Sequence, residues 1–158
     1  MQIKNADFID FFEKKKYDCA IIIIKKYSKL EESVMEKIST NKAPAAIGPY
    51  SQAIKAGDFL FASGQIPINP ATGEIEGSDI NAQADLVCKN IGEILNAAGT
   101  DYEHVVKTTC FLADMADFAA FNSVYEKYFT SKPARSCVAV KQLPKNVLCE
   151  VEITAYLA

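Results

Sequence analysis

With 158 residues, 49% of them hydrophobic, the chain can bury one core without staples. Seventeen basic against twenty acidic residues, a net charge of −3, argue against a large nucleic-acid surface, which needs clustered positive charge. The longest aliphatic run, Ala20 to Ile24, lies between lysines and is too short to cross a bilayer. Asp7, Asp10 and Glu13 precede it and do not suit a secretory signal, so a cytoplasmic protein is expected.

Residues 1–34 hold seven lysines against six acids, with no glycine or proline and no sustained period. They read as an appendage, weakly helical around Phe8 to Tyr17, or as sequence upstream of a start at Met35. Residues 35–158 form the expected domain, where turns punctuate regular segments.

Glu36 to Ser39 suits a short strand, and Ala43 to Pro49, with Pro44, Gly48 and Pro49, a loop. Ser51 to Ala56, the Gly57-Asp58 pair and Phe59 to Ser63 read as a β-hairpin. Asn69 to Gly73 is a turn. Asp79 and Asn81 are candidate N-caps for a helix reaching Ala98, with Val87, Ile91, Ile94, Leu95 and Ala98 on one stripe and Gly99 as its stop. His104 to Leu112 is β-rich. Asp114 is expected to cap a second helix with the stripe Phe118, Asn122, Tyr125 and Phe129. Ser136 to Val140 and Leu148 to Tyr156 close the chain as strands joined around Pro144-Lys145-Asn146.

This order predicts an α+β sandwich, one sheet with both helices on one face. The other face needs cover, and copies of the chain are the natural cover, so a closed homo-oligomer is expected.

Few residues can carry chemistry. Five scattered cysteines have no CxxC or histidine-paired spacing and read as reduced, mostly buried thiols. The single histidine, His104, reads as a packed or surface residue, and no metal site is expected. Sixteen lysines accompany one arginine, Arg135, in Pro133-Ala134-Arg135-Ser136-Cys137. Its planar fork makes two parallel bonds to a carboxylate, which an ammonium cannot copy. Strand alternation puts Cys137 on the face of Arg135. Glu150 and Glu152 share a face opposite Cys149, Val151 and Ile153; Glu150 could order a water or be an ordinary solvated position. Asn122 interrupts an apolar stripe, where an unpaired amide costs roughly 1–3 kcal/mol. Its expected partners are backbone groups of the loop or strand beneath, in a role that shapes a pocket. In Ser63-Gly64-Gln65 the glycine allows close approach and the amides could cradle an anion, unless it is a plain strand-to-loop glycine. No Ser-His-Asp set, phosphate loop or dinucleotide fingerprint appears.

Five stretches in register carry a resemblance: Ala43 to Ala53, Ala62 to Pro67, Asn69 to Gly73, Val106 to Thr109 and Pro133 to Val138. Through them residues 35–158 resemble the RidA/YjgF family, the reactive intermediate deaminases. The resemblance implies a chorismate-mutase-like α+β fold, one mixed sheet with two helices on one face, assembled as a homotrimer with pockets at the subunit interfaces. It implies cofactor-free hydrolysis of 2-aminoacrylate, 2-iminopropanoate and 2-iminobutanoate to 2-oxo acids and ammonia, downstream of pyridoxal-phosphate dehydratases. It assigns the carboxylate to Arg135, the water to Glu150 and pocket closure to Tyr50 from a neighbouring subunit. Ser63, Gly64, Asn122 and Cys137 would line or shape the site. Two positions depart from the pattern: Cys149, where relatives usually carry an aliphatic residue, and Lys132, where many carry an aromatic.

Two other classes compete with this one. A non-catalytic 2-oxo acid-binding regulator would keep the same anchor without turnover. Translation inhibition or RNA cleavage, an older label of the family, fits poorly with residues 35–158, which carry ten basic against fourteen acidic residues.

Overall fold

The computed structural model describes residues 35–157; the expected weak helix of Phe8 to Tyr17 and the rest of the N-terminal segment lie outside the described residues. Within them the order is β1 (Glu36–Ile38), β2 (Ala53–Ala56), β3 (Phe59–Gln65), α1 (Ile80–Ala97), β4 (Val105–Leu112), α2 (Phe118–Tyr128), β5 (Ala134–Ala139) and β6 (Cys149–Tyr156). One six-stranded sheet results, in the order β1-β2-β3-β6-β4-β5. Every pair is antiparallel except β4 and β5, so the sheet is mixed as expected. The chain's last strand sits inside the sheet, and β5 forms an edge. Although β5 and β6 follow one another in sequence, β4 lies between them.

Local chemistry explains the elements. The Asp79 carboxylate accepts from the N–H of Ala82 at 2.9 Å and caps α1. Gly99, at φ +75°, ends that helix in the left-handed region that glycine enters freely. Gly57, at φ +58°, turns the β2–β3 hairpin.

The second helix departs from the expectation in two respects. Asp114 accepts from Ala116 N–H at 2.9 Å and caps a 3-10 turn, Met115–Asp117, that leads into α2. The buried stripe of α2 is Phe121, Val124 and Tyr125, continued by Phe129, while Phe118 and Asn122 lie at its margin. Phe121 and Asn122 each lie three or four residues from Phe118 and Tyr125, and packing against the sheet buries Phe121.

Both helices pack on one face. Val87, Ile91, Ile94, Leu95, Phe121 and Val124 form one core with Leu60, Ala62, Cys110, Leu112, Val151 and Ile153 of the sheet. Phe121 is fully buried there, and its truncation to alanine would cost about 3–5 kcal/mol. The opposite face is covered at one end by Ile66, Ile68, Leu143 and Val147, packed with Phe111 and Val140. Elsewhere on that face Phe61, Val138 and Tyr156 stay 50%, 46% and 42% exposed.

Candidate functional site

Arg135 lies at the start of the edge strand, its Cα paired with that of Thr108 on β4. Thr108 is fully buried toward the helices, where its hydroxyl lies 2.8 Å from that of Tyr125. The arginine side chain therefore runs along the helix face. Its guanidinium sits 4.7 Å from the ring centre of Tyr125 and 5.6 Å from that of Phe118. Nη1 donates to Asn122 Oδ1 at 2.8 Å. The partner of Asn122 is thus the arginine and not the backbone beneath: at the margin of the stripe, its amide faces the edge strand.

Together these residues wall an open cavity of about 380 Å³ with Glu126, Phe129, Lys132 and Pro133. Lys132 adopts φ +55° and donates its backbone N–H to Phe129 O at 3.1 Å, which sets the short connection before Pro133. Among the described residues no carboxylate forms an ion pair with Arg135. Cys137 follows on the same face, opposite Cys110. Burial raises the pKa of its thiol, opposed by the charge of Arg135; burial pushes Cys110 up to about 12. Such thiols are poor nucleophiles.

A second group gathers around Glu150. Its Cα pairs with Phe111 of β4, three residues beyond Thr108, so its side chain leaves the sheet on the side away from the helices. The half-buried carboxyl is held above its ordinary value by burial first and by the charge of Glu152 second. Gly64 lies against it: a Cβ added there would stand 2.8 Å from Glu150 Cδ. This is why the strand carries a glycine at a point without positive φ. Tyr50, Ser63, Gly64, Ile47, Ile66, Pro144 and Glu150 line a cavity of about 290 Å³. Ser63 Oγ donates to Ser51 O at 2.7 Å, and Ile47 N–H donates to the Tyr50 hydroxyl at 3.2 Å.

The loop carrying Tyr50 is fixed by a residue that local sequence reading passed over. Gln52 is 5% exposed; its amide donates to Pro44 O at 2.7 Å, Thr40 O at 3.0 Å and Ala43 O at 3.3 Å, and accepts from Thr40 N–H at 2.7 Å. A glutamine directly before a strand, next to a loop rich in proline and small residues, was the available signal. Tyr125 was noted only as part of an apolar stripe; its hydroxyl gave the hint of a polar duty.

The predicted residues thus separate into two half-sites on opposite faces of one sheet. Arg135, Asn122 and Cys137 lie on the helix face, whereas Glu150, Tyr50, Ser63 and Gly64 surround the other cavity. Among the described residues, no three histidine, cysteine or acidic side chains gather as metal ligands would.

A mixed six-stranded sheet with both helices on one face, an arginine cavity at its edge and a carboxylate cavity on the reverse defines an α+β protein with two half-sites. More narrowly, the chain belongs to the RidA/YjgF family: the family model described as Endoribonuclease L-PSP matches residues 40–157. It is 57% identical over 122 residues to a RutC family protein of Pyrococcus horikoshii, across 77% of this chain and 97% of that one. It is 51% identical over 123 residues to the chloroplastic Reactive Intermediate Deaminase A of Arabidopsis thaliana, across 77% of this chain and 66% of the plant protein. The crystal structure of Escherichia coli TdcF with bound serine superposes with a TM-score of 0.74 at 43% identity, across 78% of this chain and 99% of that one.

Proposed function

We propose that this protein hydrolyses small enamine and imine acids, such as 2-aminoacrylate, 2-iminopropanoate and 2-iminobutanoate, to 2-oxo acids and ammonia. The observation that carries the reading is Arg135, held by Asn122 in an open cavity with no carboxylate among the described residues paired to it. The plant relative's name, a reactive intermediate deaminase, and the serine bound in the bacterial structure support this reading.

In this reading the guanidinium grips the substrate carboxylate through N–H groups that Asn122 leaves unused. Glu150 then takes a proton from a water as its oxygen adds to C2 of the imine, and passes that proton to the imine nitrogen as the C=N π bond opens. The resulting 2-amino-2-hydroxy acid collapses to the 2-oxo acid: Glu150 takes the hydroxyl proton as the C=O bond forms and delivers it to the nitrogen as the C–N bond breaks, releasing ammonia. A carboxyl held above its ordinary pKa suits that exchange. Tyr50, Ser63 and Gly64 enclose the reacting end, and Cys137 contributes backbone. No cofactor is required, because the imine is already electrophilic.

The two half-sites face opposite ways, so the reading also requires the arginine of one copy to meet the Glu150 cavity of another. A closed homotrimer satisfies this and covers the exposed Phe61 and Val138. We further place the protein in the cytoplasm beside pyridoxal-phosphate dehydratases, a compartment that suits the free thiols of Cys88, Cys110, Cys137 and Cys149. Residues 1–34 stay outside this reading as an appendage to the catalytic domain.

The test couples the protein to a threonine dehydratase and threonine, with semicarbazide trapping the imine. Wild type is expected to suppress trapping and Arg135→Ala to lose that effect. Equal and negligible suppression by both would sink the proposal, and tight 2-oxobutyrate binding without turnover would make the protein a regulator instead.

A further inference from the structure

Four contacts around Arg135 close on themselves. Its Cα is in register with Thr108; the Thr108 hydroxyl meets that of Tyr125 at 2.8 Å; the Tyr125 ring lies 4.7 Å beneath the guanidinium; and Asn122, one turn before Tyr125 on α2, accepts from Nη1 at 2.8 Å. Tyr125 is itself stacked on Phe129, with centroids 4.3 Å apart and planes at 20°. Phe129 is braced edge-on by Tyr102 at 5.1 Å. A tyrosine that only filled the core would need no hydroxyl, and a phenylalanine would do as well. Here the hydroxyl is tied to the strand residue that sets the height of Arg135 in the sheet.

We propose that Thr108 and Tyr125 are positioning residues for the carboxylate anchor, presetting the plane of the Arg135 guanidinium before substrate arrives. This rests on the reading of Arg135 as that anchor. A free arginine surrenders rotamer freedom when it binds, whereas one already held between a ring and an amide surrenders less. The benefit falls on carboxylate affinity, and the hydration step at Glu150 is untouched.

The chain's single arginine makes the test direct, because its Nε–Hε group gives one unambiguous NMR resonance. In wild type this resonance should be ordered and displaced upfield by the Tyr125 ring. In Thr108→Val and Tyr125→Phe its heteronuclear NOE should fall, and the Kd for 2-oxobutyrate should rise about tenfold. Tyr125→Leu should also lose the ring-current displacement. Thr108→Ser, which keeps the hydroxyl, should restore both readouts, a rescue that a general loss of packing would not give. An unchanged Kd in the folded Thr108→Val and Tyr125→Phe proteins overturns the proposal, whatever the resonance does. If wild type turns over no imine, the deaminase reading fails, while the NMR and affinity measurements still decide the role of Thr108 and Tyr125.

Discussion

Gly64 and the carboxylate of Glu150 occupy adjoining space so closely that a single methyl on the glycine would stand 2.8 Å from Glu150 Cδ. The backbone at Gly64 is not in the left-handed region, so the residue is small for the sake of its neighbour and not of its own torsions. Gly64→Ala therefore acts by displacing Glu150. With Glu150 as the proposed water-ordering group, a shift of about 1 Å is expected to lower kcat/KM about a hundredfold. Overpacking should destabilise by only about 1–3 kcal/mol. Steady-state kinetics beside a denaturation curve checks both, and an alanine variant with wild-type kcat/KM contradicts the contact.

In the proposed reaction, the raised pKa of Glu150 would give the rate an acid limb. Only the ionised carboxylate can take a proton from water, so kcat/KM should fall as pH drops through that pKa. Glu152 is the second cause of the elevation, after burial. Glu152→Gln should move the limb to lower pH, and a pH–rate profile in which it stays or rises rejects the coupling. The sign for stability is opposite. The folded state holds this proton more tightly than the unfolded one, so the contribution of Glu150 is complete below the ordinary value of 4.5 and is lost as pH rises through the folded pKa.

Two half-sites on opposite faces predict complementation between inactive proteins. Arg135→Ala retains an intact Glu150 cavity, and Glu150→Gln retains an intact arginine. Mixed one to one and allowed to exchange subunits, they should recover about a quarter of wild-type activity, since one interface in four joins the two intact halves. No recovery from subunits shown to exchange would mean that each site is built within one chain.

Gln52 anchors the loop that presents Tyr50, through one accepted and three donated hydrogen bonds. Gln52→Ala leaves those backbone groups without partners in a buried setting, at a cost of about 1–3 kcal/mol. KM should rise as the Tyr50 loop loosens, with unfolding followed by denaturant titration. A variant of unchanged stability and KM would reduce Gln52 to a filler.

Much of the fold was legible because its signals are local. The Asp79 cap, the Gly99 stop and the Gly57 hairpin each depend on residues a few positions apart. The α2 stripe was only partly legible because Phe121 and Asn122 are neighbours, each three or four residues from Phe118 and Tyr125, so packing against the sheet decides which is buried. The strand order was hidden for a different reason. β6 pairs with β3 and β4, far away in sequence, and the local pattern of β6 is the same whichever neighbours it has.

The sequence by itself determined that one arginine stands at the opening of a strand, that Cys137 shares its face, and that Glu150 and Glu152 oppose Val151. Alternation along an extended chain dictates these relations whatever the partner strands. Tertiary structure alone decided that the face of Arg135 is the helix face and that of Glu150 its reverse. Placing Thr108 beside Arg135 and Phe111 beside Glu150 requires the long-range register of three strands. The same register hands Asn122 to the guanidinium and Gly64 to the carboxylate, pairs separated by 13 residues in one case and by most of the domain in the other.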